Sequence, residues 1–259
     1  MNVLNLILFA GSLLIRFAGC VEKHAVYMPQ DDVLALSQLY ASGSSPVLKI
    51  VVLQDKSGST SENLTPQLTL AEIEYFVGLI AINGGEFAIA FIDERSDEPM
   101  HRLFLDPPPA LPEEPEKATN PFSDRKSRSE FREKQAQYEL DRREWEARSR
   151  DAIDRFKREV EDRLEAPSNA QKTDVLGALL RAEYFLNEPE AASQESFKVL
   201  IVISDAQDNV AAHAIPSTLD SGAQLILING TDSLGALEVL KPLRFESISS
   251  AMRYLRDIV

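Results

Sequence analysis

Four short runs of almost unbroken apolar residues constrain this chain more than any other feature. They are Val47-Leu48-Lys49-Ile50-Val51-Val52-Leu53, Phe87-Ala88-Ile89-Ala90-Phe91-Ile92, Lys198-Val199-Leu200-Ile201-Val202-Ile203-Ser204 and Gln224-Leu225-Ile226-Leu227-Ile228. A strand with one wet face alternates apolar and polar residues; these do not, so both faces must be covered. Between them, apolar residues recur at helical spacing. Leu70, Ile73, Phe76, Val77 and Ile80 predict one helix, ended by Gly84-Gly85. Val175, Leu176, Leu179, Leu180 and Phe185 predict another over Thr173 to Leu186. A further helix is expected near 209–221, with Pro216 to kink or restart it. His101-Arg102-Leu103-Phe104-Leu105 alternates and suits an antiparallel edge. A short strand at Phe245-Glu246 and an end helix from Ser249 close the pattern. Strands alternating with helices predict an α/β fold: a doubly wound, mostly parallel central sheet flanked by helices.

One segment breaks this pattern. After Pro107, Pro108, Pro109, Pro112 and Pro115, residues 123–166 carry 13 acidic and 13 basic side chains with no Gly and no Pro. Mixed charge without helix breakers predicts a single long helix, on the order of 60 Å at 1.5 Å per residue. Phe131, Tyr138 and Trp145 stand seven apart, followed by Ile153, Phe156, Val160 and Leu164. This narrow stripe suits packing along its own domain, a partner helix or a second copy. The segment is neutral, so the whole formal net charge of −14 lies elsewhere. Such an acidic surface repels phosphate backbones, and nucleic acid is not an expected partner.

The amino terminus has its own character. Leu6 to Ile15 is an apolar run of signal-peptide length, shorter than the roughly 20 residues of a membrane span. Phe17-Ala18-Gly19-Cys20 follows it. Small residues before a lone cysteine, behind an apolar run, resemble the lipobox of bacterial lipoproteins, although leucine is usual where Phe17 stands. That resemblance implies a lipid on Cys20 and a membrane-associated, extracytoplasmic protein. An uncleaved anchor, or a soluble protein, is the alternative. Residues 21–46 read as a linker ending in Ala41-Ser42-Gly43-Ser44-Ser45-Pro46, and 47–259 as one domain interrupted by 107–166. With a single cysteine the chain can form no internal disulfide and no thiolate zinc site, and its three histidines are scattered.

In open parallel sheets, ligands bind at the carboxyl ends of strands. Two of the strongest strands end there in acidic, hydroxyl-rich turns: Gln54-Asp55-Lys56-Ser57-Gly58-Ser59-Thr60 and Ser204-Asp205-Ala206-Gln207-Asp208-Asn209. Lys172-Thr173-Asp174 adds a third loop. All the donors are oxygen, which suits Mg²⁺ and, less selectively, Mn²⁺ or Ca²⁺, and does not favour zinc.

These loops resemble the metal-ion-dependent adhesion site of von Willebrand factor type A domains. Asp55-x-Ser57-x-Ser59 matches that family's Asp-x-Ser-x-Ser after the first strand. Thr173, in Lys-Thr-Asp-Val-Leu-Gly-Ala-Leu, stands for its middle-loop threonine. Asp205, in Val-Leu-Ile-Val-Ile-Ser-Asp-Ala, stands for its later aspartate, with Ala206 where glycine is commoner. The resemblance covers about 47–106 and 167–259. It implies that Ser57, Ser59 and Thr173 contact the cation through hydroxyls, and Asp55 and Asp205 directly or through water. The sixth position would take an Asp or Glu from a protein partner. Asp174 and Asp208 flank the rim as candidate supports. The alternative is that Asp55 and the serines only cap turns.

The expected activity is therefore metal-dependent protein binding, not catalysis. Ser57, Asp205 and His213 do follow the Ser…Asp…His order of α/β-hydrolases. A nucleophile elbow, however, needs glycine two residues either side of the serine, and Asp55 and Ser59 stand there. A haloacid-dehalogenase-type phosphatase wants a second aspartate where Ser57 stands, and no G-x-x-x-x-G-K loop occurs. A structural alternative makes the charged helix the interaction element and the sheet domain its scaffold.

Overall fold

The computed structural model describes residues 47–62, 65–94, 98–115, 121–167, 170–189, 196–208, 210, 218–229 and 235–259. The expectations for residues 1–20 and 21–46, including Cys20, lie outside the described residues.

The apolar runs become the middle of a six-stranded sheet. Its strands are β1 (Val47–Asp55), β2 (Gly85–Ile92), β3 (His101–Leu105), β4 (Ser196–Ile203), β5 (Gln224–Ile228) and β6 (Leu243–Phe245). They lie in the order β3-β2-β1-β4-β5-β6. Every pairing is parallel except β2 with β3, the antiparallel edge. Side chains alternate between two cores, as the pleat requires. Leu48, Ile50 and Val52 of β1, with Val199, Ile201 and Ile203 of β4, face one core; Val51, Leu53, Leu200 and Val202 face the other. The α/β class and the mostly parallel sheet are thus as the apolar runs predict.

Each core is closed by helices. After the short turn α1 (Ser59–Glu62) come α2 (Leu70–Asn83), the long α3 (Pro121–Glu165), α4 (Val175–Asn187) and α5 (Ile248–Ile258). Helices α2, α3 and α5 cover the first core through Phe76, Phe156 and Leu255, while α4 covers the second through Leu179 and Phe185. On the α4 side β2 presents only Ala88, Ala90 and Ile92. The start of α2 is fixed by a capping box, in which Thr69 accepts the Glu72 N–H and the Glu72 carboxylate accepts the Thr69 N–H. Its end is fixed by Gly84 at φ 75°. Gly85 follows at φ 124°, where a methyl group would collide with the Leu48 carbonyl, so the pair of glycines lets β2 dock against β1.

Lys49 is the one charged side chain buried in these strands' middle. Its ammonium donates to the Glu188 carbonyl at 3.1 Å and lies 4.9 Å from the centroid of the Phe185 ring. Reading the run as uniformly apolar misses this residue, because its partners stand some 140 positions away in sequence.

Helix α3 runs for 45 residues, about 67 Å. It starts at Pro121, two residues before the expected Ser123, because a proline is harmless at the first helical position, where the N–H has no intrahelical partner. Its stripe is used unequally. Trp145, Ile153, Phe156 and Val160 are buried, Phe87 stacks obliquely on Phe156 at 5.4 Å, and the Trp145 Nε1–H donates to the Asp106 carbonyl at 2.8 Å. Phe131 and Tyr138 are only half-buried, and Phe122 is 83 % exposed.

Three local expectations shift. Helix α4 starts at Val175 with Asp174 as its cap, so Thr173 lies in the loop before it. The helix expected near 209–221 falls mostly outside the described residues, and its described end at 218–221 is a turn. The final strand is Leu243–Phe245, ending one residue earlier than expected.

Candidate metal centre

The strand order reverses between β1 and β4: β2 and β3 lie to one side, β5 and β6 to the other. At such a switch point the connections leave in opposite directions, opening a crevice beyond the carboxyl ends of the two strands. Asp55 is the last residue of β1, and Ser204 and Asp205 directly follow β4. The two acidic turns therefore meet across one strand spacing.

Hydrogen bonds fix the first turn. Asp55 is fully buried; its Oδ1 accepts the Ser57 N–H at 2.7 Å and its Oδ2 accepts the Ser204 hydroxyl at 2.5 Å. The Ser204 Oγ in turn accepts the Ala206 N–H at 2.8 Å. Burial pushes the Asp55 carboxyl above its ordinary value, the bonds from Ser204 and Ser57 pull it down, and the neighbouring Asp205 raises it further. Were Asp55 ionised beside Asp205, negative charge would be concentrated in a buried place, which a cation bound there would relieve. Ser57 and Ser59 hold their hydroxyl oxygens 3.1 Å apart. Adjacent ligands of an octahedral Mg²⁺ stand roughly 2.9 Å apart, so this spacing is compatible with a shared ion.

The second turn is built alike. Asp205 Oδ1 accepts the Gln207 N–H at 3.1 Å, an Asx turn that aims the carboxylate. Ala206 adopts φ 56°, a left-handed conformation that costs a non-glycine residue roughly 1 kcal/mol or more. This is the physical reason glycine suits the position.

Thr173 arrives on a connector stitched to both neighbouring loops. Ser57 and Ala170 form an isolated parallel bridge, with the Gly58 N–H donating to Ala170 O at 2.9 Å and the Ala170 N–H to Lys56 O at 3.2 Å. Four residues beyond Ala170 and directly after Thr173, the Asp174 N–H bonds Asp93 O at 3.0 Å, just past the end of β2. Thr173, 2 % exposed, is held between these anchors. The structure thus brings Asp55, Ser57, Ser59 and Asp205 to one rim and suspends the Thr173 loop from that same rim.

Asp174 and Asp208, expected as supports, act on α4. Asp174 caps it by accepting the Gly177 N–H at 2.9 Å, and Asp208 Oδ2 accepts the Leu176 N–H at 2.9 Å. They fix the helix whose first turn follows Thr173. Sequence reasoning missed two contributors. Ser204 could have been suspected as a hydroxyl beside Asp205, but nothing local marks it as the partner of Asp55. Lys56, inside the Asp-x-Ser-x-Ser turn, sends its ammonium away from the rim to the end of α3. Burial lowers its pKa, and the Arg163 guanidinium lowers it further.

The donor set is carboxylate and hydroxyl oxygen throughout, which fits a hard divalent cation. Among the described residues no three His, Cys, Asp or Glu side chains gather around one point, so any cation here depends on the hydroxyls as well. His213, the base of the hydrolase alternative, lies outside the described residues. No family model, curated protein or solved structure matches this chain.

Proposed function

We propose that this chain is a Mg²⁺-dependent protein-binding module of the von Willebrand factor type A kind. Asp55, Ser57, Ser59, Thr173 and Asp205 hold the ion, with Mn²⁺ or Ca²⁺ as possible substitutes. The partner is a protein that offers an Asp or Glu carboxylate to the ion's open position. The observation that carries the reading is the meeting of Asp55 and Asp205 at the switch point between β1 and β4. Five oxygen donors, three of them neutral hydroxyls, leave an octahedral ion one open position, and an external carboxylate fills it. The same carboxylate would be repelled by the acidic surface without the ion, which makes capture conditional on metal. Membrane attachment through Cys20 belongs to the proposal on the strength of its sequence context; among the described residues no helix is long and apolar enough to cross a membrane.

The test is peptide binding to the full chain, followed by fluorescence anisotropy in Mg²⁺ and in EDTA. Short peptides bearing Asp or Glu should bind in Mg²⁺ and be released by EDTA, while their Asn and Gln counterparts should not bind. Equal binding of both sets, or binding indifferent to EDTA, contradicts the proposal.

One observation favours a second reading, in which α3 is the interaction element. From Asp124 to Glu144 no described side chain of α3 is buried, and Phe122 and Leu140 are exposed. Replacing Phe122, Phe131, Tyr138 and Leu140 together by serine should abolish partner capture if the helix carries it. Capture should survive if the metal rim does.

A further inference from the structure

Lys56 occupies the variable position between Asp55 and Ser57, and its two ends do different work. Its backbone belongs to the site: the N–H donates to Ile92 O at 2.9 Å, at the end of β2, and the carbonyl accepts the Ala170 N–H at 3.2 Å on the connector to Thr173. Its side chain belongs to the long helix: Nζ donates to Leu164 O at 2.7 Å and to Ala166 O at 3.0 Å. Leu164 lies in the last turn of α3, whose final carbonyls have no intrahelical partner and form the negative end of the helix dipole. An ammonium there satisfies those carbonyls and interacts favourably with the dipole.

Neighbouring contacts reinforce the junction. Arg163, also in the last turn, reaches Asp93 Oδ2 at 3.4 Å and Glu98 Oε2 at 2.8 Å. The Gln171 N–H donates to Glu94 Oε1 at 3.2 Å. Only seven residues separate the last residue of α3 from Thr173, and both sides of that stretch are tied to the loops after β1 and β2.

We propose that Lys56 is a positioning residue that makes the docking of α3 and the geometry of the metal rim one mechanical unit. Anything that holds α3 down holds the Ser57 turn and the Thr173 loop in register; anything that lifts its end loosens both. Occupation of the rim and docking of the helix are then thermodynamically linked, and the link is reciprocal. The linkage to metal rests on the proposed function above, whereas the mechanical coupling does not.

The experiment is amide hydrogen exchange on the full-length chain, with and without Mg²⁺, beside calorimetric Mg²⁺ titration. Lys56→Met keeps the aliphatic stem and removes the ammonium; Lys56→Arg keeps the charge. Without metal, Lys56→Met should speed exchange in residues 158–165 and 170–174 together, while Lys56→Arg leaves both near wild type. Faster exchange in the helix end alone, or in neither segment, overturns the coupling. In wild type, Mg²⁺ should slow exchange at 158–165, and Lys56→Met should weaken Mg²⁺ binding about tenfold and erase that protection. Wild-type Mg²⁺ binding with unchanged affinity in Lys56→Met overturns the linkage while the metal site stands. No Mg²⁺ binding to wild type overturns the metal site and the linkage with it, and the exchange without metal still decides the coupling. A variant that fails to fold is recognised by global loss of protection; Lys56→Gln, which can still donate to one carbonyl, then replaces it in the same test.

Discussion

The two halves of α3 share a composition and not a fate. From Trp145 onward the stripe Trp145, Ile153, Phe156 and Val160 is buried against β2, β3 and α2, and the helix end is tied by Lys56 and Arg163. Before Trp145 the same spacing continues through Phe131 and Tyr138, yet no described side chain there is buried. Intrahelical charge pairs stand before Trp145, as Arg128 with Asp124, and across it, as Arg142 with Glu146, and i,i+4 pairs of this sort contribute little. What separates the halves is the surface available to each stripe. The edge strand β3 and Phe87 give the second half something to bury against. A heptad of aromatics specifies a face and leaves its occupant to the rest of the molecule.

The cost of a substitution along the stripe should follow the burial of the side chain removed. Phe156→Ala, which empties a site against Phe87, should cost about 3–5 kcal/mol of stability in urea unfolding. Trp145→Phe keeps an aromatic ring but orphans the Asp106 carbonyl, and should cost about 1–2 kcal/mol. His101 makes the docked half sensitive to pH. It opens β3, its ring meets Phe91 edge-on, and Glu159 and Arg163 of the docked half face it together with Glu98. Burial pulls its pKa below 6.5, with Glu159 opposing, Arg163 adding and Glu98 opposing. The unfolded chain therefore takes up the proton first as pH falls. This contribution to stability is complete above 6.5 and is lost as pH falls from there towards the lowered folded value. The melting temperature of wild type minus that of His101→Gln should fall as pH drops through that window and stay constant above it. Phe131→Ala, the counterpart of Phe156 in the other half, should change stability by less than about 0.5 kcal/mol. A loss as large as that of Phe156 would mean the first half also has a covering surface.

Much of this was legible in the sequence because the physics is local. Almost unbroken apolar runs are strands buried on both faces, and β1, β2, β4 and β5 fall where those runs stand. The alternation of His101 to Leu105 marks an edge, and β3 is one. The position of the two acidic turns was legible as well: Asp55 ends β1 and Asp205 stands just past β4, and the carboxyl ends of parallel strands lie along one edge of the sheet. Long-range pairing was not legible. The Lys49 bond to Glu188, the Lys56 bonds to Leu164 and Ala166 and the Ser204 bond to Asp55 span more than a hundred residues each, with no periodicity to announce them. Nor could the stripe on α3 say which half docks, since Phe131 and Phe156 look alike until β3 is in place beneath one of them.

The most direct test of the metal rim is calorimetric titration of the full chain with Mg²⁺ and then Mn²⁺, with and without a short acidic peptide, beside Asp55→Ala. One ion should bind saturably per chain, more tightly with the peptide present, and not at all to the variant. No binding under any of these conditions, or equal binding to wild type and Asp55→Ala, would contradict it.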